Sequence, residues 1–108
     1  MPLYMTQASF TSEAWASQIQ TPQNRPEQIR TLVESNGGTL LGYYYAFGEY
    51  DVVIIYEIPD NVSASALILS AAAGGATKAL KTTVLMSTEE GLEAMRRAGG
   101  TGYRPPGS

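Results

Sequence analysis

The sequence contains no cysteine and no histidine. Without thiols there is no disulfide and no cysteine nucleophile. Without imidazole there is no histidine base, no histidine-held haem and none of the usual zinc ligand sets. No metal and no cofactor is therefore expected. Positive charge is also scarce: Lys and Arg total 7 against 10 Asp and Glu, a formal charge of −3, with no basic run. That leaves no nucleic-acid footprint, and no RNA or DNA partner is expected. Long hydrophobic runs are missing too. None approaches the ~20 residues that span a bilayer, and Met1–Thr6 lacks the basic-then-apolar pattern of a secretory leader. The expectation is a cytoplasmic protein with no membrane partner.

What is present is enough for one domain. The chain has 108 residues and a hydrophobic share of 44%, sufficient for one modest core. It is organised around Thr39–Pro59, TLLGYYYAFGEYDVVIIYEIP, where two β-rich runs, Leu40–Ala46 and Val52–Ile58, flank Phe47-Gly48-Glu49-Tyr50-Asp51. Aromatic and β-branched residues suit a pleated surface, so this stretch reads as a β-hairpin. Gly48 is taken as the turn residue that supplies a positive φ.

Before the hairpin, Pro2–Phe10 alternates loosely and reads as a strand. Thr11 or Ser12 caps a short helix through Ile19, which Pro22 interrupts. A second helix starts near Arg25-Pro26-Glu27, carries Ile29, Leu32 and Val33 on one face, and stops at Gly37-Gly38. After the hairpin, Asp60 or Asn61 caps a helix through Ala73 with Ala64, Leu67, Ile68 and Ala71 in line, and Gly74-Gly75 ends it. Ala76–Met86 is a strand. Ser87 or Thr88 opens a last helix to Ala98, with Leu92 and Met95 expected to face inward. Residues 1–98 form the domain; residues 99–108 are a Gly/Pro-rich tail, expected to be mobile unless a partner orders it.

The order β-α-β-β-α-β plus a C-terminal helix predicts an α+β, ferredoxin-like fold: an antiparallel four-stranded sheet in the order 4-1-3-2. Its helices would lie on one face. In the second hairpin strand Asp51, Val53, Ile55 and Glu57 share one side, and Val52, Ile54, Tyr56 and Ile58 the other. Both sides are rich in large apolar groups, whereas a sheet with one wet face would alternate. The second face therefore needs a cover. Another copy of the sheet is the simplest one, giving a homo-oligomer of the dimeric α+β barrel type.

Gly48-Glu49-Tyr50-Asp51 resembles the Gly-x-Tyr-Asp signature of the GYD-domain family. The flanking strands, the Pro59-Asp60-Asn61 helix start and the Lys81-Thr82-Thr83 strand resemble that family as well, from Pro2 to Arg97. The resemblance implies a small prokaryotic protein with a ferredoxin-like fold. It brings no established activity.

The candidate site residues are Tyr50, Asp51, Tyr43, Tyr45, Tyr4 and Glu57. Tyr50 and Asp51 suit a donor and an acceptor or base in a pocket. They equally suit a scaffold in which Asp51 bonds backbone amides and Tyr50 packs, and that structural reading weighs more. The crowd of tyrosines offers rigid apolar bodies with polar tips, fit for a small polar-aromatic ligand or a subunit interface. Hairpin register, uncertain by one residue, decides which of them share a face with Asp51. Glu57, in an apolar strand, needs a partner such as Lys78, Lys81, Arg25 or Arg30, or a wet strand end. Three functions fit: a small oligomeric ligand-binding or regulatory module, a structural assembly module, and a cofactorless isomerase or monooxygenase.

Overall fold

Every helix in the chain begins at a side chain that accepts a hydrogen bond from its first turn. A computed structural model describes residues 1–107 and shows the elements β1 (Leu3–Phe10), α1 (Ser12–Gln20), α2 (Arg25–Ser35), β2 (Thr39–Tyr45), β3 (Val52–Glu57), α3 (Asn61–Ala73), β4 (Thr77–Leu85) and α4 (Thr88–Gly99). Thr11 caps α1, Asn24 caps α2 and Asp60 caps α3, accepting from the amides of Ala14, Glu27 and Ser63. Ser87 and Glu90 form a reciprocal capping box on α4. Each cap is worth about 1 kcal/mol, so these four residues set the helix starts.

The sheet order is β2-β3-β1-β4, with all three pairings antiparallel. Together with the element order, this is the ferredoxin-like α+β fold. Register follows from the pairings: Tyr4 lies opposite Tyr56 and Val84, while Tyr43 and Tyr45 lie opposite Ile54 and Val52. A bulge between Leu40 and Gly42 shifts β2 by one residue. Tyr43 and Tyr45 therefore share the face of Val52, Ile54 and Tyr56, and Tyr44 points the other way with Val53.

The core lies on that first face. Tyr4, Phe10, Leu40, Val52, Ile54, Tyr56 and Ile58 meet Val33 of α2 and Ala64 and Leu67 of α3. Full burial of one large apolar side chain contributes about 1.5–3 kcal/mol. Between α2 and β2 the chain passes so close to β3 that a Cβ on Gly38 would overlap the Glu57 carbonyl oxygen. Gly37, just before it, has φ 83°, a left-handed value that glycine adopts without strain.

The opposite face is bare. Leu3, Met5, Val53, Ile55 and Leu85 are only half-buried, and none of the core residues comes from this side. The ring of Tyr44 folds back over Gly42 here, since a Cβ on Gly42 would stand 2.8 Å from it.

Two expectations fail. Leu92 and Met95 do not face inward: they are 49% and 71% exposed, and no residue of α4 is buried. The radius of gyration is 17.5 Å, against about 13 Å for a compact chain of this length. An amphipathic stripe has the same sequence pattern whether it serves its own core or another surface, and α4 leaves its own core uncovered. Gly48 is the second correction. Among the described residues positive φ is confined to Gly37, Gly75, Gly102 and Gly107, and a Cβ on Gly48 would meet nothing within 4 Å. The hairpin reverses over a loop rather than a two-residue turn, so no residue there is forced into the left-handed region.

Candidate functional site

The signature loop is held from β1. The Asp51 amide donates to the Ala8 carbonyl at 2.8 Å and the Ala46 amide to the Asp51 carbonyl at 2.8 Å. Beyond Ala8 the β1–β3 ladder ends, and the next outward amide of β1 would lose its partner. The Asp51 carboxylate supplies it: Oδ2 accepts from the Phe10 amide at 2.9 Å and from the Trp15 indole Nε1 at 3.3 Å. Phe10 and Trp15 meet edge to face, with ring centroids 5.2 Å apart. Ser9 adds a hydroxyl that donates to the Glu49 carbonyl at 3.0 Å. Asp51 is thus a splice between sheet, loop and α1, and Tyr50 sits half-buried in the loop it closes.

The remaining sequence candidates are scattered. Tyr4 donates to Asn61 Oδ1 at 2.6 Å and stacks on Tyr56, centroids 5.7 Å apart. The Tyr56 hydroxyl shares a hydrogen bond with Thr6 at 2.8 Å, and Thr6 reaches Thr82 at 2.9 Å. Burial pushes the Tyr56 phenol up, and the two threonines partly offset this. Glu57 stands on the bare face between Leu3 and Thr39, and among the described residues no ion pair includes it. Only Tyr43 and Tyr45 are brought together, edge to face at 5.5 Å.

Tyr43 opens onto a cleft that the sequence did not reveal. Between α2, α3 and the covered face of the sheet lies a space of about 510 Å³. Thr6, Ala8, Val52, Ile54 and Leu80 form its floor. Ile29 and Leu32 of α2 and Leu67, Ile68 and Ala71 of α3 form its walls. It exists because the facing residues are short. Ala8 on the floor, Ala71 on α3 and Gly74 just past its end do not fill the gap that a Leu or Phe would close, although protein interiors are ordinarily close-packed. The small residues Ser70, Ala71 and Gly74 are its one trace in the sequence, and they do not set the distance between two helices.

The β2 side of the cleft carries polar groups: Arg25, Gln28 and Tyr43. Arg25 donates to Gln28 Oε1. Burial raises the pKa of the Tyr43 phenol far above the usual tyrosine value, Tyr45 adds to the rise, and the neighbouring Arg25 guanidinium partly opposes it. The neutral phenol can both donate and accept. Among the described residues no Asp or Glu lines the cleft. Nor does any group of three or more Asp and Glu, among the described residues, stand close enough to hold a metal ion.

Fold and loop together define a small ferredoxin-like domain whose Gly-Glu-Tyr-Asp loop is spliced to its first strand. The chain belongs to the GYD domain family, whose model matches residues 4–95. None of the curated proteins matches it in sequence. Among solved structures, MtbAldR is similar with a TM-score of 0.57 at 13% identity, over 80% of this chain and 53% of that one. FFRP-DM1 is similar with a TM-score of 0.50 at 12% identity, over 80% of this chain and 100% of that one. The chain thus spans about half the length of MtbAldR. At such identities the likeness speaks for the fold alone. Among the described residues no helix is long and apolar enough to cross a membrane.

Proposed function

We propose that this protein is a self-associating binding module that holds a small, largely apolar ligand in the cleft between α2, α3 and the sheet. The observation that carries this is the cleft itself. Its volume of about 510 Å³ falls within the roughly 300–1,000 Å³ of small-molecule sites, and it has their usual make-up, apolar walls with a few convergent polar groups. Binding is favoured over catalysis because the lining, among the described residues, holds no carboxylate and the chain has no histidine, so no described residue there suits proton abstraction near neutral pH.

Self-association is supported by two unpartnered surfaces. The bare face of the sheet presents Leu3, Met5, Val53 and Ile55, and α4 carries Leu92 and Met95 outward. A helix of 12 residues is marginal alone in water, where isolated helices need about 12–15 residues or more, so α4 gains most of its stability by docking. A second copy supplies a sheet face to cover and a helix to cover it with. Such an arrangement is closed and two-fold, each surface used once on each copy.

The cleft is tested with Nile red, a neutral apolar dye. The expected result is saturable fluorescence enhancement at one dye per chain, lost in Ala71→Trp while far-UV circular dichroism stays unchanged. Enhancement that survives a folded Ala71→Trp, or that never saturates, would remove the cleft from the account.

A further inference from the structure

The cleft combines apolar walls with a cation that has no anion to meet. Arg25 is half-buried on the lining, and among the described residues it forms no ion pair. The nearby Glu27 turns instead to Arg30, at 3.3 Å. Accepting the cleft as a ligand site, we propose that its ligand is a monocarboxylate with an apolar body, the carboxylate meeting Arg25 and Tyr43 and the body lying over Ala8, Ile54, Leu67 and Ala71.

Three features select a carboxylate. A guanidinium stays charged and presents a planar fork that matches two carboxylate oxygens. Gln28 Oε1 accepts from one N–H of that fork, and a guanidinium carries further N–H groups that can meet a ligand. The Tyr43 hydroxyl, on the same side of the cleft, can donate a further hydrogen bond to a ligand oxygen. Finally, Arg25 and Gln28 both lie in the first turn of α2, where the helix dipole favours negative charge. An amine would be repelled by the Arg25 cation. A phosphate monoester would bring a second charge to a lining that, among the described residues, has one cation.

The test is a heteronuclear NMR titration of the full chain with octanoate, octanamide and octylamine. Octanoate is expected to shift the amides of Arg25, Ile54, Leu67 and Ala71 and to bind about tenfold more tightly than octanamide, since hydrogen bonds to a charged partner exceed neutral ones. Octylamine should bind weakest. Arg25→Gln should lower octanoate affinity about tenfold and octanamide affinity much less, closing most of the gap between the two. Arg25→Lys, which keeps the charge without the fork, should fall between. Equal affinity for octanoate and octanamide, or octanoate affinity unmoved in a folded Arg25→Gln, overturns the carboxylate proposal while leaving the apolar cleft standing. If none of the three shifts the cleft residues, both readings fall.

Discussion

Along β1 and β3 neighbouring residues live in two different surroundings. Tyr4, Thr6, Ile54 and Tyr56 face α2 and α3 and are nearly or fully buried. Leu3, Met5, Val53 and Ile55, one residue away in each case, are apolar too but only half-covered. Hydropathy does not separate these faces; the polar groups do. The covered face carries hydroxyls that find partners, Tyr4 with Asn61 and Tyr56 with Thr6, and no buried side-chain polar atom among the described residues is left unpaired. The bare face carries Glu57, which among the described residues has no ion partner. The first face is finished by the chain's own helices except at the cleft. The second is unfinished, and on our proposal a second copy completes it.

Substitutions on the two faces should therefore differ in kind. Leu67→Ala on the covered side removes a side chain only 2% exposed, and chemical denaturation should show a loss of about 2–5 kcal/mol. Gly38→Ala drives a methyl into the Glu57 carbonyl where α2 turns into β2. It should cost about 1–3 kcal/mol, the usual range for overpacking. Gly48→Ala, in the loop where the added Cβ meets nothing, should stay within about 0.5 kcal/mol. A Gly48→Ala variant as unstable as Gly38→Ala would mean that the signature loop is tighter than described.

Asp51 sharpens the comparison at the seam between sheet and α1. Asp51→Ala unpartners the Phe10 amide and the Trp15 indole and should cost about 1–3 kcal/mol. Asp51→Asn keeps an acceptor oxygen and should cost less than half as much. Equal destabilisation in thermal melts would show that the splice is not what the carboxylate provides.

Much of this architecture was legible in the sequence because its signals are local. Alternation marks the strands, and Thr11, Asp60 and Ser87 mark helix starts by capping within three residues. The apolar pattern on both sides of β3 announced the bare face. Gly48 misled because a glycine between two strands has the same sequence appearance in a tight turn and in a longer loop. Register was illegible because a bulge between Leu40 and Gly42 decides it. The cleft was hidden for a deeper reason: it is a gap between α2 and α3, and no local pattern encodes the distance between two helices. Arg25 was weighed only as a partner for Glu57, yet the two occupy opposite faces of the sheet. Of the sequence candidates, Tyr43 alone lines the cleft.

Our central claim is that the two faces divide the work, one holding a ligand and the other a second copy. Sedimentation equilibrium of the wild type and of Ile55→Asp, each with Nile red present, tests it most directly. The account predicts a wild-type mass above that of one chain, a monomeric Ile55→Asp, and one bound dye per chain in both. A monomeric wild type at micromolar concentration, or a folded Ile55→Asp that loses the dye along with its partner, would contradict it.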